Sequence, residues 1–311
     1  MNIHWYPVLK RKRKDTLVNS TKVMGKLRIT ISFILLLTTI SSIRAQVKYD
    51  KTFVNNSVIL TILNNDLAEY KADYEAVVKE NDRNKLVDVI GLLTSSDPKT
   101  LEYAGVNIDY YPYKSAFGKY TPESKVGTLR LSNSETTIQA GRINVSKNDP
   151  KKIYRAGGSY ASDKSYVLIY NAQASKNHLY YEDGGEVNDS YVTTDAKGRI
   201  TEYHMGEDYY GVEYNGQGQI AFFKRWRLEG KSKAKSVKTT IAFSWKGENF
   251  TKITFGWVYD HFPNNYSEEY LFEPTQYNEA GFWTKAIVYH KDANAFEGKA
   301  IDFGLSREYR M

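Results

Sequence analysis

Cysteine is absent from the 311 residues of this chain. Disulfides and thiolate metal sites are therefore excluded, and so is a lipoprotein anchor, which needs a cysteine directly after the export signal. Histidine is scarce as well, with five in the whole chain, and neither a His-Glu-x-x-His nor a Gly-x-Ser-x-Gly motif occurs. We therefore predict no metal site, no cofactor and a fold that depends on its buried core.

Long apolar runs are also rare, and the longest extends from Ile29 to Ile43. Lys26 and Arg28 precede it and a small residue follows it, which is the layout of a cleavable secretory signal over residues 24–45. The run is shorter than the roughly 20 residues of a membrane-spanning helix. We predict export to the periplasm, cell surface or medium, with no transmembrane segment after signal cleavage. An uncleaved anchor is the alternative.

The net positive charge of the chain comes from its first 45 residues. Residues 1–23 include five consecutive basic residues ahead of a complete signal, so we interpret them as a mis-assigned upstream extension and Met24 as the start. Nine of the 43 Lys and Arg residues and one of the 36 acids precede residue 46, which leaves 34 basic and 35 acidic residues. A nucleic-acid binder needs a basic face. The sequence therefore predicts no nucleic-acid partner.

Two patterns divide the remainder into an N-terminal region, 46–126, and a second region, 127–311. Apolar residues recur at helical spacing from Leu67 to Val78 and again from Leu86 to Leu93, which predicts a helical hairpin. From residue 127 onward, apolar and polar residues alternate in short runs rich in β-branched and aromatic side chains, which is typical of antiparallel strands.

Four turns that contain glycine separate these alternating runs. Glycine and asparagine supply the positive φ that tight hairpin turns require. The predicted turns are 195–198, 215–218, 246–249 and 278–281. The predicted fold is mainly β: an antiparallel meander of hairpins, forming an extended sheet or open β-shell, with a small N-terminal helical hairpin.

The sequences around the turns share a frame, in which an apolar residue follows the glycine after two or three positions. Those apolar residues are Ile200, Ile220, Phe250 and Trp283. Two copies, DAKGRI after Thr194 and YNEAG around Asn278, resemble the YD-type (RHS-like) hairpin repeats of bacterial exported proteins, although Thr194 replaces Tyr and Asn278 replaces Asp. The resemblance covers about residues 191–291. It implies an architectural β-hairpin repeat used for binding or encapsulation and supplies no catalytic residues.

Aromatic residues are the compositional excess of this chain, which has 26 tyrosines. Flat rings suit sugars, since sugar C–H groups stack on them while polar edges form hydrogen bonds. We predict ligand-binding roles for Trp226, Trp257, Trp283 and Tyr289, with packing inside the sheet as the alternative. The predicted function is a non-catalytic binding or interaction module of the bacterial envelope, with a glycan or an envelope protein as partner.

Two other functions stay open at this point. A glycan hydrolase would use two carboxylates as acid and base across a cleft. The candidate carboxylates are Glu182, Asp183, Glu186, Asp189, Glu207, Asp208, Glu268 and Glu269. A structural role in an envelope protein assembly would rest on the hairpin repeat.

Overall fold

Two helices and sixteen strands make up the part of the chain that the computed structural model describes. The described residues are 49–64, 80–95, 105–112, 125, 127–134, 137–141, 143–148, 153–156, 166–169, 176–181, 186–205, 208–229, 234–258, 266–291 and 298–310. The described residues all belong to one compact unit, 47–311. The predicted signal, 24–45, and the predicted upstream extension, 1–23, lie outside the described residues.

The helices are α1 (Lys51–Asn64) and α2 (Glu80–Leu93). The first eight strands are β1 (Gly105–Pro112), β2 (Gly127–Asn133), β3 (Thr137–Ala140), β4 (Ile143–Ser146), β5 (Ile153–Ala156), β6 (Tyr166–Ile169), β7 (Asn177–Tyr181) and β8 (Glu186–Thr194). The second eight are β9 (Ile200–Met205), β10 (Asp208–Tyr214), β11 (Ile220–Glu229), β12 (Ala234–Lys246), β13 (Asn249–Trp257), β14 (Tyr266–Tyr277), β15 (Trp283–Lys291) and β16 (Lys299–Arg310).

The strands form a single antiparallel sheet in which each strand pairs with its neighbours in sequence. The predicted mainly-β meander is confirmed. The sheet closes on itself because β1 pairs with β2 along one edge and with β16 along the other. Strand β1 was not predicted, although its Val106, Ile108 and Tyr110 are buried at alternate positions. The predicted boundary at 126/127 lies between β1 and β2.

Helix α1 is enclosed on every side, since each residue from Phe53 to Ile62 is buried. Asp50 begins the helix by accepting a hydrogen bond at 2.9 Å from the backbone N–H of Phe53. This helix was not predicted, because its apolar residues surround the axis and leave no amphipathic period in the sequence. Its many β-branched residues favour helix weakly, so burial supplies most of its stability.

Helix α2 confirms the predicted apolar stripe from Leu86 to Leu93, whose inward members are buried. Gly91 lets this helix approach the sheet, because a Cβ atom there would lie 2.4 Å from Leu129 Cδ2 of β2. The other predicted stripe, from Leu67 to Val78, lies outside the described residues. Neither of the described helices combines the length and apolar character needed to cross a lipid bilayer.

The sheet has two faces of different character. The inner face packs on the helices and belongs to one hydrophobic core that includes Val192, Ile241, Phe255 and Val288. The outer face holds the alternate residues, which are half-buried or exposed. This alternation follows from the period of two in a strand, which sends successive side chains to opposite faces.

Three of the four predicted turns have the same geometry. In each, the first residue is Asp195, Asn215 or Asn278, and a glycine three positions later has positive φ and donates its N–H to that residue's carbonyl. The Asp or Asn side chain also accepts the N–H four positions on. The fourth turn, at 246–249, likewise places a glycine at positive φ. All four turns lie at one end of the sheet, here called the turn rim.

The apolar residues that follow these turns are buried, as the repeat pattern predicts. Ile200 and Ile220 are fully buried, and Phe250 and Trp283 are nearly so. The turn geometry is local chemistry that many hairpins share. Membership in the YD-type family therefore stays a prediction.

Candidate functional site

Ion pairs between neighbouring strands, or between strands one further apart, cover much of the outer face. Lys224 of β11 contacts Glu213 of β10 at 2.5 Å, and Lys299 of β16 contacts Glu273 of β14 at 2.6 Å. Glu269 of β14 lies between two lysines, at 3.4 and 3.5 Å. These charged side chains are partly exposed to water, where each ion pair contributes little to the free energy of unfolding.

Four rings interrupt this charged surface and form a row across β8, β9, β10 and β11. Tyr191 pairs with His204, His204 with Tyr209, and Tyr209 with Trp226 in the strand register. The ring centroids are 4.8, 4.2 and 6.2 Å apart in that order. All four side chains are half-buried on the outer face. We call these four residues the aromatic row.

Gly211 explains how the Trp226 indole lies on the sheet. A Cβ atom at Gly211 would come within 2.7 Å of the indole Cη2 and Cζ3 atoms, so the ring covers the space that any other residue would fill. The Tyr209 ring is nearly parallel to the indole, with 9° between the planes. The glycine at position 211 therefore leaves space on β10 for the Trp226 indole, and the Tyr209 ring lies beside that indole in a nearly parallel orientation.

His204 occupies the middle of the row between two tyrosine rings. Both of its ring nitrogens are buried and have no hydrogen-bond partner among the described residues. The imidazole therefore serves as a flat packing element that keeps the Tyr191 and Tyr209 rings apart. Side-chain pairs of this kind across neighbouring strands stabilise a sheet.

One exposed apolar side chain extends the row at its β11–β12 end, since Val237 pairs with Trp226 and is 42% exposed. Phe222 is 41% exposed on the same face, four residues from Trp226 along β11, where it pairs with Glu213. These are two of the three large apolar side chains that the described part of the chain exposes. Rings and apolar groups gathered on an otherwise charged face indicate a surface for a ligand.

The four aromatic residues predicted from sequence are not brought together. Trp226 lies in the aromatic row, and Tyr289 lies on the outer face of β15 with Lys299 Nζ 4.2 Å from its ring centroid. Trp283 and Trp257 pack towards the core, Trp283 beside the turn rim and Trp257 at the other end of the sheet. Their ligand-binding roles stay predictions, and the geometry favours Trp226.

The described carboxylates predicted for hydrolysis are held by other groups. Asp208 accepts a hydrogen bond at 3.0 Å from buried Arg225, and buried Glu268 accepts one at 2.9 Å from the Tyr270 hydroxyl. Glu269 is held by the two lysines described above. Glu182, Asp183 and Glu207 lie outside the described residues, as do the side chains of Glu186 and Asp189.

Titratable and metal-binding groups give no sign of a catalytic centre in the part that the structure describes. No group of three or more His, Asp or Glu side chains there is placed to hold a metal ion. The resolved pKa shifts belong to Tyr49, which precedes α1, and to Asp195, Tyr214 and Glu248, which lie in or beside the turn rim. Burial raises the pKa of Tyr49 and Tyr214, although nearby arginines act in the opposite direction.

The sequence analysis missed Tyr191 and His204 as members of the site. Each stands within a strand of ordinary composition, and the row exists only because the register places them opposite each other. Register between strands depends on long-range pairing, which a single sequence does not give. Tyr209 and Tyr210 are adjacent in the sequence, but their rings point to opposite faces of the sheet, and Tyr210 is buried.

Comparison with known proteins supplies no family for this chain. No protein-family model matches it, and no curated protein matches it. Four chains of known structure match, among them a porin-like protein from Bacteroides uniformis ATCC 8492 with 10% sequence identity and a TM-score of 0.33. That match covers 67% of this chain and 98% of the other. A similarity with this identity and TM-score gives no information about the function of this chain.

Proposed function

We propose that this protein is an exported, non-catalytic binding module of the bacterial envelope whose aromatic row binds a glycan. Export rests on the signal pattern of residues 24–45. Binding rests on the aromatic row itself, in which four rings lie side by side on the outer face. The other predicted functions are a glycan hydrolase and a structural component of an envelope assembly, and within the described ranges no comparable feature supports either of them.

A glycan suits this surface for two reasons. Sugar rings present C–H groups that pack on aromatic faces, and a row of rings offers several such contacts to one extended chain. Polar groups at the margin supply hydrogen bonds to hydroxyls, since Lys224 and Glu213 lie on the outer face of the strands that carry Trp226 and Tyr209. The row crosses the strands, so an extended ligand would lie across β8 to β11.

The test is a glycan and peptidoglycan-fragment binding array on purified protein, with Trp226→Ala and Tyr289→Ala as matched variants. Both aromatic residues are half-buried on the outer face, but only Trp226 belongs to the aromatic row. We expect Trp226→Ala to weaken binding about tenfold or more, which corresponds to roughly 1.4 kcal/mol. Tyr289→Ala should bind as the unchanged protein does.

Circular dichroism and the thermal midpoint would verify that both variants stay folded. Binding that Trp226→Ala leaves intact, or loss of binding in Tyr289→Ala alone, would overturn the assignment to the aromatic row. If no glycan binds at all, glycan recognition is wrong. Crosslinking in the intact envelope would then identify a protein partner.

A further inference from the structure

The aromatic row has a cation at its β7–β8 end. Lys176 Nζ lies 4.3 Å from the centroid of the Tyr191 ring. Asn177 is buried on the inner face and pairs with Val192, so Lys176 and His178 on either side of it face outward beside Tyr191. Both are exposed. A ring and an ammonium group are thus available together at this end of the row.

Lys176 differs from other outward lysines in its neighbours. Lys224, Lys252 and Lys299 each form an ion pair with a glutamate on a neighbouring or nearby strand. Within the described ranges Lys176 has no carboxylate partner, and its contact is the Tyr191 ring. A cation over an aromatic face is held in place by the ring but keeps its charge. It can therefore pair with an anion brought by a ligand.

We infer that the glycan bound by the aromatic row is acidic, with a carboxylate or sulfate group placed against Lys176. This inference rests on the proposed function. Stacking on the rings would hold the sugar chain, and the ammonium group would recognise the anion through a charge-assisted hydrogen bond. The ligand thereby gains a direction along the row, because the cross-strand pair at the other end, Trp226 and Val237, is uncharged.

Two acids whose side chains are described near the row, Glu213 and Glu202, agree with this direction. Glu213 is paired with Lys224 and contributes no net charge together with it. Glu202 lies on the outer face of β9, two strands from Lys176, since it pairs with Thr193 of β8 and with Gly211 of β10. It would repel an anionic group placed at the centre of the row. The anion is therefore favoured at the β7 end.

The experiment compares an oligogalacturonate with a neutral galactose oligomer of the same length, by calorimetry at low and high salt. Lys176→Gln is the test variant and Lys285→Gln is the matched control, since Lys285 is exposed on β15 and has no ion pair among the described residues. We expect the acidic oligomer to bind about three- to fivefold more tightly at low salt. High salt should reduce this preference.

Lys176→Gln should remove the preference and leave binding of the neutral oligomer unchanged, while Lys285→Gln should change neither. Equal affinity for both oligomers, or a preference that survives in Lys176→Gln, would overturn the acidic assignment and leave the aromatic row as the site. Trp226→Ala tests the proposed function separately, since it should weaken the binding of both oligomers alike. If neither oligomer binds, the acidic assignment fails, and the glycan array alone decides the proposed function.

Discussion

Asp195 and Asn215 hold the same position in successive turns and accept the same two backbone hydrogen bonds. Asp195 also forms an ion pair with Arg199 at 2.6 Å, where the second turn has Gln219. Partial burial raises the pKa of Asp195, but the hydrogen bonds and charge of Arg199 outweigh it and leave that pKa below its ordinary value. The carboxylate form therefore stabilises the folded protein.

We expect Asp195→Asn to lower the free energy of unfolding by about 0.5 kcal/mol at pH 7, because the amide keeps the turn but loses the ion pair. The folded pKa lies below the unfolded value of roughly 3.9, so the stabilisation is present above that pH. It disappears as the pH falls through the folded pKa. Urea unfolding of both proteins between pH 7 and pH 3 measures the difference.

The control is Asn215→Asp, which introduces a carboxylate into the matching turn without an arginine. It should gain no comparable stabilisation above pH 4. A difference between Asp195→Asn and the unchanged protein that stays constant down to pH 3 would contradict the assigned role of the ion pair.

Turn chemistry is the part of this fold that sequence predicts best, and the reason is its short range. The conformation at Asp195 depends on Gly198 and Arg199, which are close in the chain. The aromatic row depends instead on the pairing of Tyr191 with His204 and of Tyr209 with Trp226. Side chains alternate between faces, so a shift of one residue in register would turn these rings inward. The sequence of a single strand does not determine this pairing register.

The helices and turns are joined by buried side chains of α1. Asn56 donates to the Gly198 carbonyl and accepts from the Ile200 N–H, both at 2.9 Å, while Asn55 donates to the Gly218 carbonyl at 2.9 Å. Further contacts link the hairpins, since Tyr214 donates to the Ile200 carbonyl at 2.6 Å. The turn rim is therefore one network that includes the beginning of α1.

Asn56→Ala should cost more stability than Asn55→Ala, although both residues are buried in the same helix turn. Loss of Asn56 leaves a buried donor and an acceptor unsatisfied, at about 1–3 kcal/mol for each group, whereas loss of Asn55 leaves one acceptor. We expect about 3 kcal/mol for Asn56→Ala and about 1 kcal/mol for Asn55→Ala. Chemical denaturation measures both, and equal effects would contradict this account of the network.

For the molecule as a whole, helix and sheet share one core and should unfold together. Val58 and Ile59 of α1 are completely buried, as is Ile253 of β13. Their amides can reach water only when the closed sheet opens, so hydrogen exchange should give all three the global free energy of unfolding. The exposed turn residue Gln217 provides the comparison and should exchange much faster. Lower protection at Val58 than at Ile253 would show that the helix leaves the sheet independently.

Arg307 connects β16, the strand that closes the sheet, with the end of helix α2. It donates to the Trp283 carbonyl at 2.9 Å and to the Thr94 carbonyl, at the end of α2, at 3.4 Å. Its guanidinium also lies 4.2 Å from the Trp283 ring centroid. A cation suits the end of a helix, where carbonyl groups carry partial negative charge. The last strand thus contacts the element that it encloses.

The pairing of β1 with β16 has a consequence for how the chain reaches its folded state. The partners Gly105 and Arg310 stand at opposite ends of the sheet's sequence. Contacts between residues so distant in sequence form slowly, because a long loop must close first. Until β16 pairs with β1, the unfinished sheet has two open edges, one at β1 and one at the last strand that has paired. Exposed edges of this kind promote aggregation. If the chain is exported N-terminus first, as we propose, β1 emerges long before β16, so the edge of β1 stays unpaired until the last strand arrives.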